Sequence, residues 1–315
     1  MTLQQFQYIV AIDTHRHFAR AAESCFVTQP TLSSMVKKLE EELGVVLFDR
    51  SKVPVVPTVE GEALIAQARV VLNEVQVLRA MADTSRDEEG GELRLGVIPT
   101  VAPYLLPLFL GELIRKYPAL TISVEELTTE SIIDRLEHGR LDMGLLATPL
   151  GIPGLKEDPL FNERFLLYVS PDEGLGAKRY VLPSEIRADR LWLLEEGHCL
   201  RSQVLDLCEL REQGEGMGRL AYVSGSMEAL MRMVDTQGGL TVVPELATVG
   251  MSGEQRSRLR HFQEPVPVRE IALVTYRHAV KNKLQQVLRA EILAGVGPHL
   301  HQASTVHVLP VKMDR

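Results

Sequence analysis

Cysteine is scarce in this chain, with three in 315 residues, and there is a single tryptophan. So few cysteines exclude a disulfide framework and predict a reducing cytoplasmic location, where a disulfide is usually transient. No apolar run reaches about 18 residues, so we expect no membrane span. The first residues lack a basic segment followed by an apolar core, so we expect no signal peptide either.

Positive charge is also in deficit, since the net charge is −8 with 34 basic and 42 acidic side chains. Residues 1–58 carry six of each sign, so the whole acidic excess lies after them. This balance argues against indiscriminate binding to nucleic acid, but a neutral N-terminal unit can bind DNA if its basic side chains share one face. The length predicts two or three domains.

The first 44 residues have the pattern of three helices. Apolar residues at helical spacing predict a helix over about 2–14, and an alanine-rich segment predicts a short one over about 18–25. Thr28 can cap a third helix, which Gly44 ends. A short helix, a tight turn and a longer polar-faced helix are typical of helix-turn-helix proteins, whose last helix enters the major groove. The expected DNA contacts on that helix are Thr28, Gln29, Pro30, Thr31, Ser33, Ser34 and Lys37.

A small hairpin wing is predicted for residues 45–58, which are rich in β-branched side chains and interrupted by Pro54 and Pro57. Arg50 is expected there as a contact to the DNA backbone or the minor groove. The pattern alone leaves open an ordinary three-helix domain with a solvated polar face.

A long helix is predicted over about 59–85, with an apolar seam at heptad spacing. Such a narrow seam favours dimerisation, and the alternative is a helix that packs on its own domain. The seam residues are Leu64, Ala68, Val71, Val75 and Leu78.

From about residue 89 onwards, strand-like and helical runs alternate, which indicates an α/β fold with mostly parallel sheets. About 200 residues are enough for two lobes with a cleft between them. The expected strands are 93–98, 120–124, 143–147, 165–169, 191–194, 240–243 and 271–276, and the expected helices are 103–117, 130–139, 200–212, 226–236 and 280–293.

The C-terminal segment 297–315 has no clear period, so we expect an exposed, flexible tail. Its histidines, His299, His301 and His307, are then expected to be solvated rather than to hold a metal ion. No metal or other cofactor is predicted for the chain.

Cys199 and Cys208 are nine residues apart. In one helix, nine residues give a rise of roughly 13–14 Å and a half-turn offset, whereas a disulfide needs Cα atoms within about 7 Å. Either the two thiols never meet, or the segment rearranges and acts as a redox switch. A helix start at Cys199, flanked by His198 and Arg201, favours a thiolate, which is the form that attacks peroxide. The residues alone leave a redox pair and two structural cysteines as alternatives.

The N-terminal residues resemble those of LysR-type transcriptional regulators. The resemblance implies an all-α winged helix-turn-helix, a linker helix and a two-lobed α/β effector domain like that of periplasmic binding proteins. The motifs that carry it are Ala21-Ala22, Thr28–Ser33, Lys38–Glu40, Leu43-Gly44, Leu47-Phe48, Arg50, and Thr58 with Gly61.

On this basis we expect a DNA-binding domain at 1–58, a linker and dimerisation helix at 59–88, and a regulatory domain at 89–296. Lobe I is expected at about 89–161 and 269–296, and lobe II at about 162–268. The chain is expected to cross between the lobes near 161–164 and to return near 266–270.

A second set of residues, Gly197–Arg201 with Gln203 and Cys208, and Ile98–Val101, resembles the sensing segment of peroxide-responsive members of that family. The resemblance implies that Cys199 reacts with hydrogen peroxide and that Cys208 resolves the product as a disulfide. The peroxide pocket is then expected to contain Thr100, Thr129, His198 and Arg201.

The same resemblance implies a set of partners: promoter DNA, RNA polymerase, hydrogen peroxide as effector, glutaredoxin or thioredoxin as reductant, and further copies of the chain in a dimer of dimers. The segment between the two cysteines is more helix-prone than the usual pattern of these regulators, which has more glycine and an aromatic residue before the second cysteine.

Three other functions fit parts of the sequence. The first is a LysR-type regulator that senses a small organic ligand in the cleft between the lobes, with incidental cysteines. The second is a thiol peroxidase, in which the helix-turn-helix and the linker helix would have no function, so no enzyme is expected. A periplasmic solute-binding protein is disfavoured by the N-terminal unit and by the expected lack of a signal peptide.

Overall fold

The computed structural model describes residues 1–82, 91–209, 224–276, 282–301 and 303–311. The chain forms two compact units, one in its N-terminal part and one in its C-terminal part, and each is described below by itself.

The N-terminal unit consists of three helices, a short hairpin and a long helix. Thr28 begins the third helix, because its hydroxyl accepts a hydrogen bond from the Thr31 N–H, and Gly44 ends it in the left-handed conformation. The core contains Ile12, Leu32 and Phe48. The elements are α1 (Leu3–His15), α2 (Phe18–Ser24), α3 (Gln29–Leu43), β1 (Phe48–Asp49) antiparallel to β2 (Val56–Pro57), and α4 (Val59–Ala82).

The predicted seam of α4 is divided between two roles. Ala68 is 3% exposed in the core of its own unit, and Leu64 packs against the same core. Ala68 therefore packs on its own domain, and the expectation that it forms part of a dimer seam is wrong. Leu64 is only partly buried, and its place in the seam stays a prediction. Val71 and Val75 are half-buried and Leu78 is 68% exposed. The predicted helix continues to 85, and its last residues lie outside the described part of the chain.

The C-terminal unit is built on a curled mixed sheet. Its strands are β3 (Gly91–Val97), β4 (Leu120–Glu126), β5 (Met143–Thr148), β6 (Leu155–Val169), β7 (Tyr180–Val181), β8 (Leu240–Pro244), β9 (Leu259–Phe262), β10 (Val266–Tyr276) and β11 (Val306–Val308). Its helices are α5 (Ala102–Lys116), α6 (Thr129–Glu137), α7 (Cys199–Leu207), α8 (Met227–Gln237), α9 (Gly253–Ser257) and α10 (Asn282–Val296).

The sheet differs from the expected mostly parallel arrangement. Strand β3 pairs in parallel with β4 and β5, but β10 is antiparallel to β5 and β6, and β6 is antiparallel to β8 and β9. Each of these antiparallel pairs contains β6 or β10. These two long strands are antiparallel to each other, and they include both expected crossing segments, 161–164 and 266–270. The strand expected at 191–194 is reduced to a single bridge between Leu191 and Leu240.

Two hydrophobic cores lie along this sheet, as expected for a two-lobed domain. The lobe I core contains side chains from β3, β5, α5 and α10, such as Leu95, Phe109 and Ile292. The lobe II core contains side chains from β6, β8, α7 and α8, such as Phe165 and Val234. None of the helices in the described residues has both the length and the apolar stretch needed to cross a membrane.

The prediction of a flexible, exposed tail at 297–315 is wrong for Leu309 and Val311 and for the strand β11, whereas residues 304–308 and 310 are exposed as predicted. Strand β11 pairs in parallel with β10, and the Leu309 N–H donates to the Val268 carbonyl at 2.9 Å. Leu309 and Val311 are buried, in the lobe II and the lobe I core respectively. Two side chains at alternate positions of a short extended segment share one face, and a segment this short gives no visible period in sequence.

Candidate redox site and DNA-binding surface

A single helix separates the two C-terminal cysteines, and it ends at Leu207 rather than at the predicted 212. Cys199 is the first residue of α7 and Cys208 is its C-terminal cap. Gly197, with φ +87°, allows the turn that leads into the helix. Both thiols are free, and a rise of 1.5 Å per residue puts their Cα atoms roughly 13 Å apart. The reduced form therefore cannot form the disulfide without losing the helix.

Cys199 lies against lobe I, although α7 also packs in the lobe II core. Its Sγ is 2.9 Å from Thr129 Oγ1, at the start of α6, and its side chain packs against the lobe I core. The neighbouring Thr128 has another role, because its Oγ1 accepts from the Ser131 N–H and donates to Ser131 Oγ. Of the two adjacent threonines, Thr129 is thus the one in contact with the thiol.

A buried cation lies near Cys199. Arg269 on β10 donates from Nη1 to Thr100 Oγ1 at 2.9 Å and from Nη2 to the Thr100 carbonyl at 3.0 Å. Its Nε donates to Glu163 Oε2 at 2.8 Å, and the Leu246 N–H donates to Glu163 Oε1 at 2.7 Å. The side chains of Arg269 and Glu163 are almost fully buried. The hydrogen bonds just described therefore offset part of the free energy that it costs to remove the two charges from water. Burial raises the pKa of the Glu163 carboxyl, and Arg269 opposes that rise.

The acidity of Cys199 is set by different residues from those expected. Burial raises the pKa of the Cys199 thiol, while the Thr129 hydrogen bond and the charge of Arg269 lower it. The net direction is upward, so the expectation of a favoured thiolate is wrong for the resting protein. The physical reason is that desolvation of a buried thiol penalises its charged form more than these neighbours compensate.

His198 and Arg201 flank Cys199, and each contacts the segment that precedes α7. The buried His198 places Nε2 3.6 Å from Glu195 Oε1, and Arg201 donates from Nη1 to the Leu194 carbonyl at 2.9 Å. Arg201 therefore ties the first turn of α7 to the segment that precedes it. Their places in a peroxide pocket stay predictions.

Cys208 occupies an apolar site. It is buried in the lobe II core with Leu200 and Val204, and burial raises the pKa of its thiol to about 12. Between the two cysteines, the fully buried Gln203 donates from Nε2 to the Leu309 carbonyl at 2.9 Å. A thiol in such a site is inert until it leaves the core.

Sequence reasoning missed Arg269, Glu163 and the contact of Gln203 with the tail. The local sequence gives no clear signal for the first two, because Glu163 lies between Asn162 and Arg164, and Arg269 is followed by Glu270. Strand register pairs them in the fold, since Arg269 lies opposite Glu163 on β10 and β6.

The candidate DNA-binding surface is the polar face of α3. Thr28, Gln29, Pro30, Thr31, Ser34 and Lys37 are exposed on it, and Ser33 is half-buried. This exposure agrees with a face that is free to enter a groove, but the individual contacts stay predictions.

Arg50 is tied to α3 by its own contacts. Its Nη1 donates to Ser33 Oγ at 3.3 Å, and its Nη2 pairs with Glu40 Oε2 at 2.8 Å. The guanidinium also lies over the Phe18 ring, 5.0 Å from the centroid. Arg50 therefore positions the wing against α3, and it remains exposed enough to reach a phosphate.

Comparison with known proteins relates this architecture to one family. Residues 3–62 match the bacterial regulatory helix-turn-helix protein, lysR family, and residues 86–296 match the LysR substrate binding domain. The chain is 37% identical over 292 residues to the hydrogen peroxide-inducible genes activator of Haemophilus influenzae, covering 92% of this chain and 96% of that protein.

Two further relatives agree with these matches. The DNA-binding transcriptional dual regulator OxyR of Escherichia coli strain K12 is 36% identical over 292 residues, which cover 92% of this chain and 94% of that protein. The structure of full-length OxyR C199D from Pseudomonas aeruginosa superposes with a TM-score of 0.80 at 35% identity, covering 93% of this chain and 98% of that one.

A winged helix-turn-helix followed by a two-lobed α/β domain defines a DNA-binding transcriptional regulator rather than an enzyme. The chain belongs to the LysR family of bacterial transcriptional regulators, and its relatives include OxyR proteins.

Proposed function

We propose that this chain is a peroxide-responsive regulator of transcription, switched when Cys199 is oxidised and forms a disulfide with Cys208. The observation that carries the proposal is the placement of two free thiols at opposite ends of α7, with Cys199 against the hydroxyl of Thr129. The relatives named as hydrogen peroxide-inducible activators support the choice of oxidant.

The chemistry needs one peroxide and both thiols. The deprotonated sulfur of Cys199 attacks one peroxide oxygen, the O–O bond breaks, hydroxide leaves, and a sulfenic acid forms on Cys199. Cys208 then loses its proton and attacks that sulfur, so that the S–S bond forms, the S–O bond breaks and the hydroxyl leaves as water. The two thiols are oxidised by two electrons in total, and the peroxide is reduced to water.

Four residues form the proposed peroxide pocket around Cys199: Thr100, Thr129, His198 and Arg201. Thr129 donates to the thiolate or to the peroxide, since its hydroxyl contacts Sγ. Thr100 accepts from Arg269 with its oxygen, which leaves its own O–H free to donate to the departing hydroxide.

The second step requires a conformational change. Cys208 must leave the lobe II core and α7 must unwind for the two sulfurs to meet. A disulfide that closes a loop of about ten residues contributes roughly 2–3 kcal/mol in the chain-entropy model. That is enough to bias two packings of a domain that differ by a few kcal/mol.

The changed domain would alter how copies of the chain pair on promoter DNA. Within the proposal, the operator is contacted by Thr28, Gln29, Pro30, Thr31, Ser33, Ser34, Lys37 and Arg50. The dimer interface includes Leu64, Val71, Val75 and Leu78. A dimer of dimers in the cytoplasm would then shift its contact with RNA polymerase, and glutaredoxin or thioredoxin would reduce the disulfide.

Serine substitutions at each cysteine test the proposal in a promoter reporter strain that lacks the native chain. Cys199→Ser and Cys208→Ser should each abolish the transcriptional response to added peroxide. Cys25→Ser is the matched control, because Cys25 is a free thiol of the N-terminal unit and has no place in the switch. A normal response in Cys199→Ser would overturn the proposal.

A second candidate function is a response to a small anionic ligand. A cavity of about 480 Å³ has a volume in the range of ligand pockets. Its lining contains the basic residues Arg164, Arg179, Arg256 and His261 and the carboxylates Glu245 and Glu264, of which Glu245 pairs with Arg164. Thermal unfolding in the presence of small carboxylates and phosphates, compared with peroxide-dependent loss of free thiols, separates the two functions.

A further inference from the structure

The strand at the C-terminal end of this chain lies outside the matched family domain, which ends at residue 296. We propose that residues 303–311, here named the strap, hold α7 in its reduced, helical form and so set how readily the disulfide forms. The inference rests on the proposed disulfide switch, and it makes Gln203 and Leu309 positioning residues for the thiol chemistry.

Leu309 joins two elements that the switch must move apart. Its N–H donates to the Val268 carbonyl of β10 at 2.9 Å, and its carbonyl accepts from Gln203 Nε2 of α7 at 2.9 Å. Its side chain is 2% exposed and lies in the same core as Cys208. A single residue thus connects a strand of the sheet to the middle of the helix between the cysteines.

The strap is fixed to the domain on both sides of Leu309. On its N-terminal side, the Val266 N–H donates to the Thr305 carbonyl, and β11 continues the pairing with β10 as far as Val308. On its C-terminal side, Val311 is buried in the lobe I core, against which Cys199 also packs. The strap therefore contacts the cores on which both cysteines depend.

Two of the strap's contacts depend on the helical form of α7: the hydrogen bond from Gln203 and the packing of Leu309 in the core that contains Cys208. Gln203 is four residues from Cys199 and five from Cys208, so unwinding of the segment removes its amide from the Leu309 carbonyl. Withdrawal of Cys208 from the lobe II core also removes part of the packing around Leu309. Since the strap binds the reduced conformation better than the oxidised one, it shifts the equilibrium toward the dithiol.

The test compares two neighbouring strap residues by the same substitution. Leu309→Asp puts a charge into the core and detaches the strap, whereas Val308→Asp changes an exposed side chain and is the matched control. The measured quantity is the midpoint potential of the Cys199–Cys208 couple in the full chain, equilibrated with glutathione buffers. We expect Leu309→Asp to favour the disulfide about tenfold, which lowers the potential by about 30 mV for two electrons.

A measurement on the unmodified chain covers the case in which Leu309→Asp does not fold. Oxidation should release the strap, so the Leu309 amide should exchange its hydrogen at least about tenfold faster in the oxidised than in the reduced protein. Equal midpoint potentials in Leu309→Asp and Val308→Asp, or an unchanged rate of hydrogen exchange at the Leu309 amide on oxidation, would overturn the proposed role of the strap. Neither result would contradict the proposed disulfide switch. If no Cys199–Cys208 disulfide forms in any variant, the proposed switch is wrong, and so is the role proposed for the strap.

Discussion

Replacing Thr129 with valine removes the hydroxyl that contacts Cys199 Sγ at 2.9 Å and keeps the shape of a buried side chain. A hydrogen bond to a charged acceptor is worth about 1.5–3 kcal/mol, and about 1.4 kcal/mol corresponds to one pKa unit. Because the Thr129 hydroxyl lowers the pKa of Cys199, Thr129→Val should raise that pKa.

The consequence for the reaction is a slower first step. At a pH below the pKa, the thiolate fraction of Cys199 falls by the same factor as its acid dissociation constant. Loss of a hydrogen bond worth about 1.5–3 kcal/mol lowers that constant about 10- to 100-fold. A more basic thiolate is a better nucleophile, and a Brønsted coefficient of about 0.4–0.5, taken from thiol–disulfide exchange, recovers roughly half of that loss on a logarithmic scale. We therefore expect sulfenic acid to form about 3- to 16-fold more slowly in Thr129→Val.

The assay uses a Cys208→Ser background, in which the sulfenic acid of Cys199 persists and can be trapped by a cyclic diketone. Alkylation of Cys199 at a series of pH values gives its pKa in the same proteins. Thr128→Val is the matched control, because Thr128 bonds to Ser131 rather than to the thiol. The reasoning is refuted if Thr129→Val keeps the parent pKa and rate, or if Thr128→Val loses as much.

Three further predictions concern the pH response, the buried ion pair and DNA. Because burial raises the pKa of Cys199, the rate of its reaction with peroxide should rise about tenfold for each pH unit between about pH 6 and 8. A rate that does not change with pH over this range would contradict a raised pKa. Glu163→Gln leaves Arg269 buried without its carboxylate and should lower the free energy of unfolding by about 3–5 kcal/mol in urea, whereas Glu254→Gln at the surface should cost less than about 1 kcal/mol. Lys37→Ala should weaken binding to operator DNA and reduce the salt slope of the binding constant by about one, measured by fluorescence anisotropy; an unchanged slope would show that Lys37 neutralises no phosphate.

Local signals were enough to predict the N-terminal unit. The capped start of α3 at Thr28, its end at Gly44 and the hairpin wing depend on residues close together in sequence, and the structure confirms all three. A helix after Cys199 was also predicted from a local helix-prone segment, but α7 ends at Leu207, before the predicted end at 212.

The surroundings of the thiol depend on contacts between distant residues. Sequence neighbours pointed to His198 and Arg201 as the groups that tune Cys199, whereas the fold brings Thr129 and Arg269 there from 70 positions away in either direction. The tail was missed for the same reason, because Leu309 is buried by packing against α7 and β10 rather than by any pattern of its own.

The most direct test of the central claim is peptide mass mapping of the reduced full chain after one equivalent of hydrogen peroxide. We predict one crosslinked pair of peptides, joined through Cys199 and Cys208 with the loss of two hydrogen atoms, while Cys25 remains a free thiol. Full oxidation of Cys199 with Cys208 still unlinked would contradict the account.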